Sequence, residues 1–204
     1  MPEPAERDDL GAFVARAVRL DQGTAVRLRQ RSAGGRVDAW VSTPFDALVT
    51  RSVTGTLSPA DLTVSGSELL AALAIVGGER IDPGLPRDLL WRSALPPTEG
   101  WSYVDDVPAS LLGELTDRGV ALAREHLGPQ GTPPASLLDQ TVLTVSGGGF
   151  DVKIPMRCLF ALSGMGFTTA QDAVRVSATD SWLRIDARYG AVVRRRHALL
   201  PLLV

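Results

Sequence analysis

The residues whose types invite chemistry are two histidines, one cysteine, an aspartate pair and a glycine run. His126 and His197 stand far apart, and neither shares a metal-ligand spacing with Cys158, the single cysteine. A zinc site needs about four such ligands. His126 follows Arg124 and Glu125 at the end of a helical pattern, where the helix dipole favours a cation. His197 follows three arginines and is expected at the surface. Cys158 has Arg157 beside it, a neighbour that can lower a thiol pKa. Its other neighbours, Leu159-Phe160-Ala161, read instead as a buried helix position.

Asp105-Asp106 lacks a third acidic residue at calcium-loop spacing and reads as a helix-capping pair. Ser146-Gly147-Gly148-Gly149-Phe150 lacks the Gly-Lys-Ser/Thr ending and following helix of a phosphate loop. It reads as a hairpin turn. No catalytic residue, no metal and no cofactor are therefore assigned. An enzyme using dispersed carboxylates and arginines stays open as an alternative, because such groups meet only in the fold.

Arginine is the conspicuous side chain: twenty Arg against one Lys, Lys153. Its planar guanidinium binds phosphate and carboxylate bidentately. The C-terminal region concentrates candidates. Arg157 lies on an expected helix over 155–166, Arg175 and Arg184 on an expected hairpin over 173–187, and Arg188, Arg194, Arg195 and Arg196 follow. A helix with a basic hairpin behind it is the layout of a recognition helix and wing. Phosphate neutralisation would supply its affinity. Against this, the helix offers Arg157 and Ser163 as its polar readers, and base edges are read by polar groups. Nucleic-acid binding is therefore the alternative to a non-catalytic binding or regulatory module. That module's expected partner is another protein or a second copy of the chain.

The elements that must position these residues follow from periodicity. Leu10, Phe13, Val14, Ala17 and Val18 share one helix face, with Asp8 and Asp9 expected at its N-terminus. Val26 and Leu28 alternate with Arg27, Arg29 and Arg31, and Ser32-Ala33-Gly34-Gly35 turns the chain into a strand through Val37, Ala39 and Val41. A third strand is expected over 46–54. Ser58-Pro59-Ala60-Asp61 reads as a helix start, running through Glu68–Leu73 to Gly77-Gly78. Leu89–Ala94 reads as an edge strand. A long helix spans Pro108–Leu127, with a helical turn near Leu137-Leu138. Thr141–Ser146 and Phe150–Ile154 form a hairpin, and Pro155 opens the next helix.

The pentapeptide Leu62-Thr63-Val64-Ser65-Gly66 recurs as Leu143-Thr144-Val145-Ser146-Gly147. Looser echoes set Val37–Val41 against Phe150–Ile154, and Leu62–Ser65 against Val174–Ser177. The expectation is an α+β fold of two similar halves, each a small antiparallel sheet with covering helices, consistent with an internal duplication. The halves are 1–76 and 107–204. A Pro/Gly-rich connecting segment, 77–106, joins them, and Trp91, Trp101 and Tyr103 within it argue that it is packed.

At 204 residues and 45% hydrophobic content the chain can bury a core without disulfides. No apolar run reaches the ~20 residues of a membrane helix. The acidic N-terminus is unlike a secretory signal. Both point to a soluble, cytoplasmic protein away from membranes. Charge runs in blocks: net −3 over 1–15, +4 over 16–51, −7 over 52–147 and +4 over 148–204.

Pro44-Phe45-Asp46-Ala47-Leu48-Val49, Asp61–Val64 with Glu68–Leu73, and Ile154-Pro155-Met156-Arg157 with Met165-Gly166-Phe167 resemble segments of a conserved actinobacterial protein family of unknown function. The resemblance spans most of the chain and implies a folded bacterial protein. It implies no activity and no site residues.

Overall fold

The computed structural model of the chain describes residues 4–31, 34–75, 80–125 and 133–196. It divides into two compact units, Met1–Leu95 with Gly164–Gly166, and Pro96–Ser163 with Phe167–Val204.

In the first unit, helix α1 (Pro4–Leu20) precedes a meander of β1 (Ala25–Gln30), β2 (Arg36–Ser42) and β3 (Leu48–Thr54). Strand β4 (Asp61–Ser65) then feeds helix α2 (Gly66–Ala74). The sheet is antiparallel, in the order β4-β1-β2-β3. Alternation puts Val26, Leu28, Ala39, Val41, Val49, Leu62 and Val64 on one buried face. Phe13, Val14 and Ala17 of α1 and Leu69 and Leu73 of α2 are buried with them, α1 packing on both α2 and β3. Gly66 lets α2 start close to the preceding elements: a Cβ there would lie 2.8 Å from the Thr24 side chain and 3.1 Å from Val18.

The second unit opens with β5 (Ser102–Pro108), helix α3 (Ala109–Glu125) and the short α4 (Ala135–Leu138). The hairpin β6 (Thr141–Gly147) and β7 (Phe150–Pro155) follows, then helix α5 (Met156–Gly164) and a meander of β8 (Ala173–Ala178), β9 (Trp182–Ala187) and β10 (Gly190–Arg195). Within this unit the main sheet runs β10-β9-β8-β5, and β6-β7 stand as a separate pair. Val174, Val176, Leu183, Ile185 and Val192 form the buried face of the main sheet, and α5 is buried from Met156 through Leu162. Each unit is thus an antiparallel sheet with helices, the α+β architecture of two halves expected from periodicity.

Several elements depart from the sequence expectation. Helix α1 begins at Pro4, so Asp8 and Asp9 lie beyond its first turn, and Asp9 pairs with Arg51 of β3. Residues 61–65 are strand, not helix. Leu62, Thr63 and Val64 are all buried, so burial on both faces erased the period-two signal. The helix starts where Ser65 caps it, its hydroxyl accepting from the Glu68 N–H.

The expected edge strand at 89–94 is replaced by a 3-10 turn at Asp88–Leu90. Asp105 and Asp106 sit inside strand β5 rather than capping a helix. Pro155 closes β7, and α5 begins at Met156. The basic run 194–196 belongs largely to β10, so the wing hairpin is part of a larger sheet. Gly77-Gly78, His126, His197 and the apolar tail lie outside the described residues.

Candidate functional site

Of the seven arginines singled out from sequence, five fall into two groups, and Arg188 and Arg196 stand apart from both. Arg157, on the buried helix α5, is 7% exposed. Its Nε and Nη2 donate to Asp139 Oδ1 at 3.0 and 2.6 Å. Arg194 approaches the same oxygen at 3.6 Å. Leu183 is its partner across β9, so it belongs to the core-facing side of the sheet. These two guanidiniums share a carboxylate just beyond α4, and a buried guanidinium needs such a partner.

The second group follows strand alternation. Arg175 of β8, Arg184 of β9 and Arg195 of β10 lie on the face opposite Val176, Ile185 and Val192. Arg175 stands directly between Asp106 of β5 and Asp186 of β9, and its Nε lies 3.4 Å from Asp106. Arg184 Nε donates to both Asp186 oxygens at 2.8 Å. Aromatic rings lie beneath the cations: Tyr103 under Arg175 at 5.4 Å, Trp101 under Arg184 at 6.0 Å and Trp182 under Arg195 at 4.6 Å. Contacts of this kind are worth ~0.5–1 kcal/mol at exposed sites.

Arg196 donates to the Thr179 and Asp151 carbonyls at 3.0 and 2.9 Å and covers Phe150. Arg188 lies 3.7 Å from Asp172. The Asp172 carboxyl is held below the usual carboxylate range, first by the Thr169 N–H, then by the Thr169 hydroxyl, with Arg188 adding to it. The fold therefore brings Arg175, Arg184 and Arg195 together on one face and places Arg157 and Arg194 elsewhere. Of their carboxylate partners, Asp106 was read from sequence as one of a helix-capping pair, and Asp139 and Asp186 were not singled out. Period-two alternation through Trp182, Arg184 and Asp186 was the available signal for the last.

The first unit carries a related face. Arg29 of β1 stands directly between Asp61 of β4 and Asp38 of β2. Arg31 donates to Asp38 at 2.9 Å, and Arg27 makes a two-pronged pair with Asp61 at 2.8 and 2.7 Å. That pairing, more than any other cause, lowers the Asp61 pKa and raises that of Arg27. Arg27 also covers Trp91 at 5.8 Å. Beside it a groove of about 370 Å³ is lined by residues including Asp21, Thr43, Pro44, Trp91 and Arg92.

The remaining candidates resolve simply. Cys158 is fully buried in α5. The glycine run is a hairpin turn, with Gly148 and Gly149 at φ 56° and 82°. Among the described residues no group of three or more His, Cys, Asp or Glu could hold a metal ion. No described helix is long and apolar enough to cross a membrane.

The fold is similar to bacterial DNA sliding clamps. The DnaN clamp (DNA polymerase III subunit beta) of Bartonella birtlesii, solved bound to griselimycin, matches at a TM-score of 0.56 and 15% identity, over 96% of this chain and 65% of the clamp. The Bacillus subtilis clamp matches at 0.58 and 12%, over 96% and 64%. The Caulobacter crescentus clamp matches at 0.56 and 12%, over 96% and 65%. The chain thus spans less than two thirds of each clamp's length, and at these identities the likeness is one of fold. No curated protein matches the chain. Residues 1–93 match the family model described as Domain of unknown function (DUF8010). Residues 96–199, which contain every arginine of the second unit's strand face, match Domain of unknown function (DUF8185). Since that second match covers more than half of the sequence, the chain belongs to the DUF8185 family.

Proposed function

We propose that the chain is a non-catalytic protein-interaction module on a sliding-clamp-like scaffold, docking a partner on the strand face of its second unit. The observation that carries this reading is the Asp106–Arg175–Asp186 row flanked by Tyr103, Trp101 and Trp182. Arginine, tyrosine and tryptophan are the residues enriched at protein interfaces, and Tyr103 stays 51% exposed. Carboxylates within hydrogen-bonding reach neutralise Arg175 and Arg184, which weakens the draw on phosphate and favours a partner of mixed charge. A cytoplasmic setting accords with this reading. Twenty arginines against one lysine support an actinobacterial source.

Affinity capture of the tagged chain from its own cell extract, with and without nuclease, tests the proposal. A nuclease-resistant protein partner, lost from a Tyr103→Ser/Arg175→Glu double variant, is the expected result. Capture that survives this variant would remove the strand face from the proposal.

The second reading is nucleic-acid binding through Arg175, Arg184 and Arg188. Its support is the likeness to clamps named for DNA polymerase, together with the 61% and 63% exposure of the Arg175 and Arg188 side chains. Duplex DNA binding that falls steeply with salt, and disappears in the triple alanine variant, would favour it over the first.

A further inference from the structure

The hairpin β6-β7 is the one sheet of two strands among the described residues, whereas the main sheet of each unit has four. A two-stranded ribbon is marginal by itself. Its edge is also unlike others in the molecule. The outer edge of β4 is covered at Thr63, whose carbonyl accepts the Arg87 N–H and whose N–H donates to Asp88, both at 2.7 Å. Strand β5 carries Asp105 and Asp106. Proteins use covering segments and charges of this kind to stop edge-to-edge pairing. Strand β6, Thr-Val-Leu-Thr-Val-Ser-Gly, carries no charge and no proline over seven residues.

The register states what this edge offers. Gly147 pairs with Phe150 across the two-residue loop, and Val145 pairs with Val152. In such a hairpin these pairs exchange the ladder hydrogen bonds, so the N–H and C=O of Thr144 and Ser146 point away from β7. Among the described residues β6 pairs with β7 alone, and no turn or loop backbone bond reaches Thr144 or Ser146. Strand β5 meets the hairpin at its turn, where Gly147 and Gly148 lie against the Val104 and Tyr103 carbonyls.

A second β6 run antiparallel about a two-fold axis at Thr144 pairs the Thr144 groups with those of its copy and sets Ser146 opposite Val142, at the end of the seam. Thr144 faces Thr144 of the second copy, a favourable cross-strand pair. Leu143 faces Val145 in both directions, and no like charges meet. The shift between Thr141 and Leu143 marks where the seam would end. Such a pairing is self-complementary, as a two-fold interface must be.

We propose that the free edge of β6 is a homodimer seam, in which two hairpins join into one four-stranded sheet. This rests on the reading of the chain as an interaction module and names a second copy as the partner at this edge. Sedimentation velocity of the full chain across a wide concentration range should show a species of twice 21.7 kDa. Thr144→Lys should leave only monomer, with an unchanged circular dichroism spectrum. Thr144→Cys should give a covalent dimer with a short bismaleimide, because facing Cα atoms in such a pair lie ~5.5 Å apart. The parent chain should not crosslink, since its Cys158 is buried. A chain that is monomeric at every concentration, or a dimer indifferent to Thr144→Lys, overturns the seam. A monomer that still captures a protein partner through Tyr103 and Arg175 would overturn the seam alone and leave the interaction module standing.

Discussion

The two main sheets repeat each other in space but not along the chain. One runs β4-β1-β2-β3 and the other β5-β8-β9-β10. In each, a strand that leads into a helix pairs with the first strand of a meander. In the first unit that strand follows its meander, and in the second it precedes it. The match reaches the side chains: Asp61–Arg29–Asp38 crosses strands four, one and two as Asp106–Arg175–Asp186 crosses strands five, eight and nine. The recurring pentapeptide marks a different pair of strands. Its first copy, on β4, runs into helix α2, and its second, on β6, runs into a hairpin turn. The equivalence of the halves therefore lies in strand pairing and charge rows, and a linear repeat is a poor guide to it.

The turns are where the comparison breaks hardest. Gly34 and Gly148 both have positive φ, but a Cβ at Gly34 meets open space, while one at Gly148 lies 2.2 Å from the Tyr103 carbonyl oxygen and one at Gly147 2.1 Å from that of Val104. Gly147→Ala should cost ~3 kcal/mol, the upper range for forcing atoms into packed space. Gly34→Ala should cost only ~1 kcal/mol from its left-handed backbone. Urea titration of both variants checks this.

The Arg157–Asp139 pair is a feature of the second unit. Asp139→Ala leaves a buried guanidinium without its carboxylate and should cost ~2 kcal/mol, less than for a fully buried pair because the Asp139 side chain is 57% exposed. Loss of the Ser65 cap by Ser65→Ala should cost ~1 kcal/mol in the first unit.

The charge rows should behave alike: Arg29→Ala and Arg175→Ala are each expected to change stability by under ~0.5 kcal/mol. Acidification sharpens the point. Arg27 depresses the folded pKa of Asp61, so its contribution is present above the ordinary carboxylate range and is lost as pH falls through the depressed value. Asp61→Asn should flatten the pH dependence of stability on the acid side of neutrality, read from urea midpoints between pH 7 and ~3.

How much of this was legible depended on whether a residue's partner was near in sequence. Trp182, Arg184 and Asp186 alternate with Leu183 and Ile185, so β9 could be read directly. Two aspartates inside β5 run against strand propensity, and that strand read as linker. Arg194 to Arg196 read as a basic segment of candidate phosphate contacts because nothing nearby in sequence shows that Arg195 covers Trp182 or that Arg194 approaches Asp139. The arginines of the strand face were visible as arginines. Their meaning was not, since Arg175 meets a carboxylate 69 positions away. Charge neutralisation across strands is a property of the fold.

The lone lysine has a practical consequence. Lys153 is exposed on β7, directly across the ladder from Thr144. Every other basic side chain apart from the two histidines is a guanidinium, inert to acylating reagents at neutral pH. An amine-directed fluorophore, or an enzyme that acetylates lysine, therefore finds its one side-chain target on the hairpin, so a lysine-borne label reports on that strand.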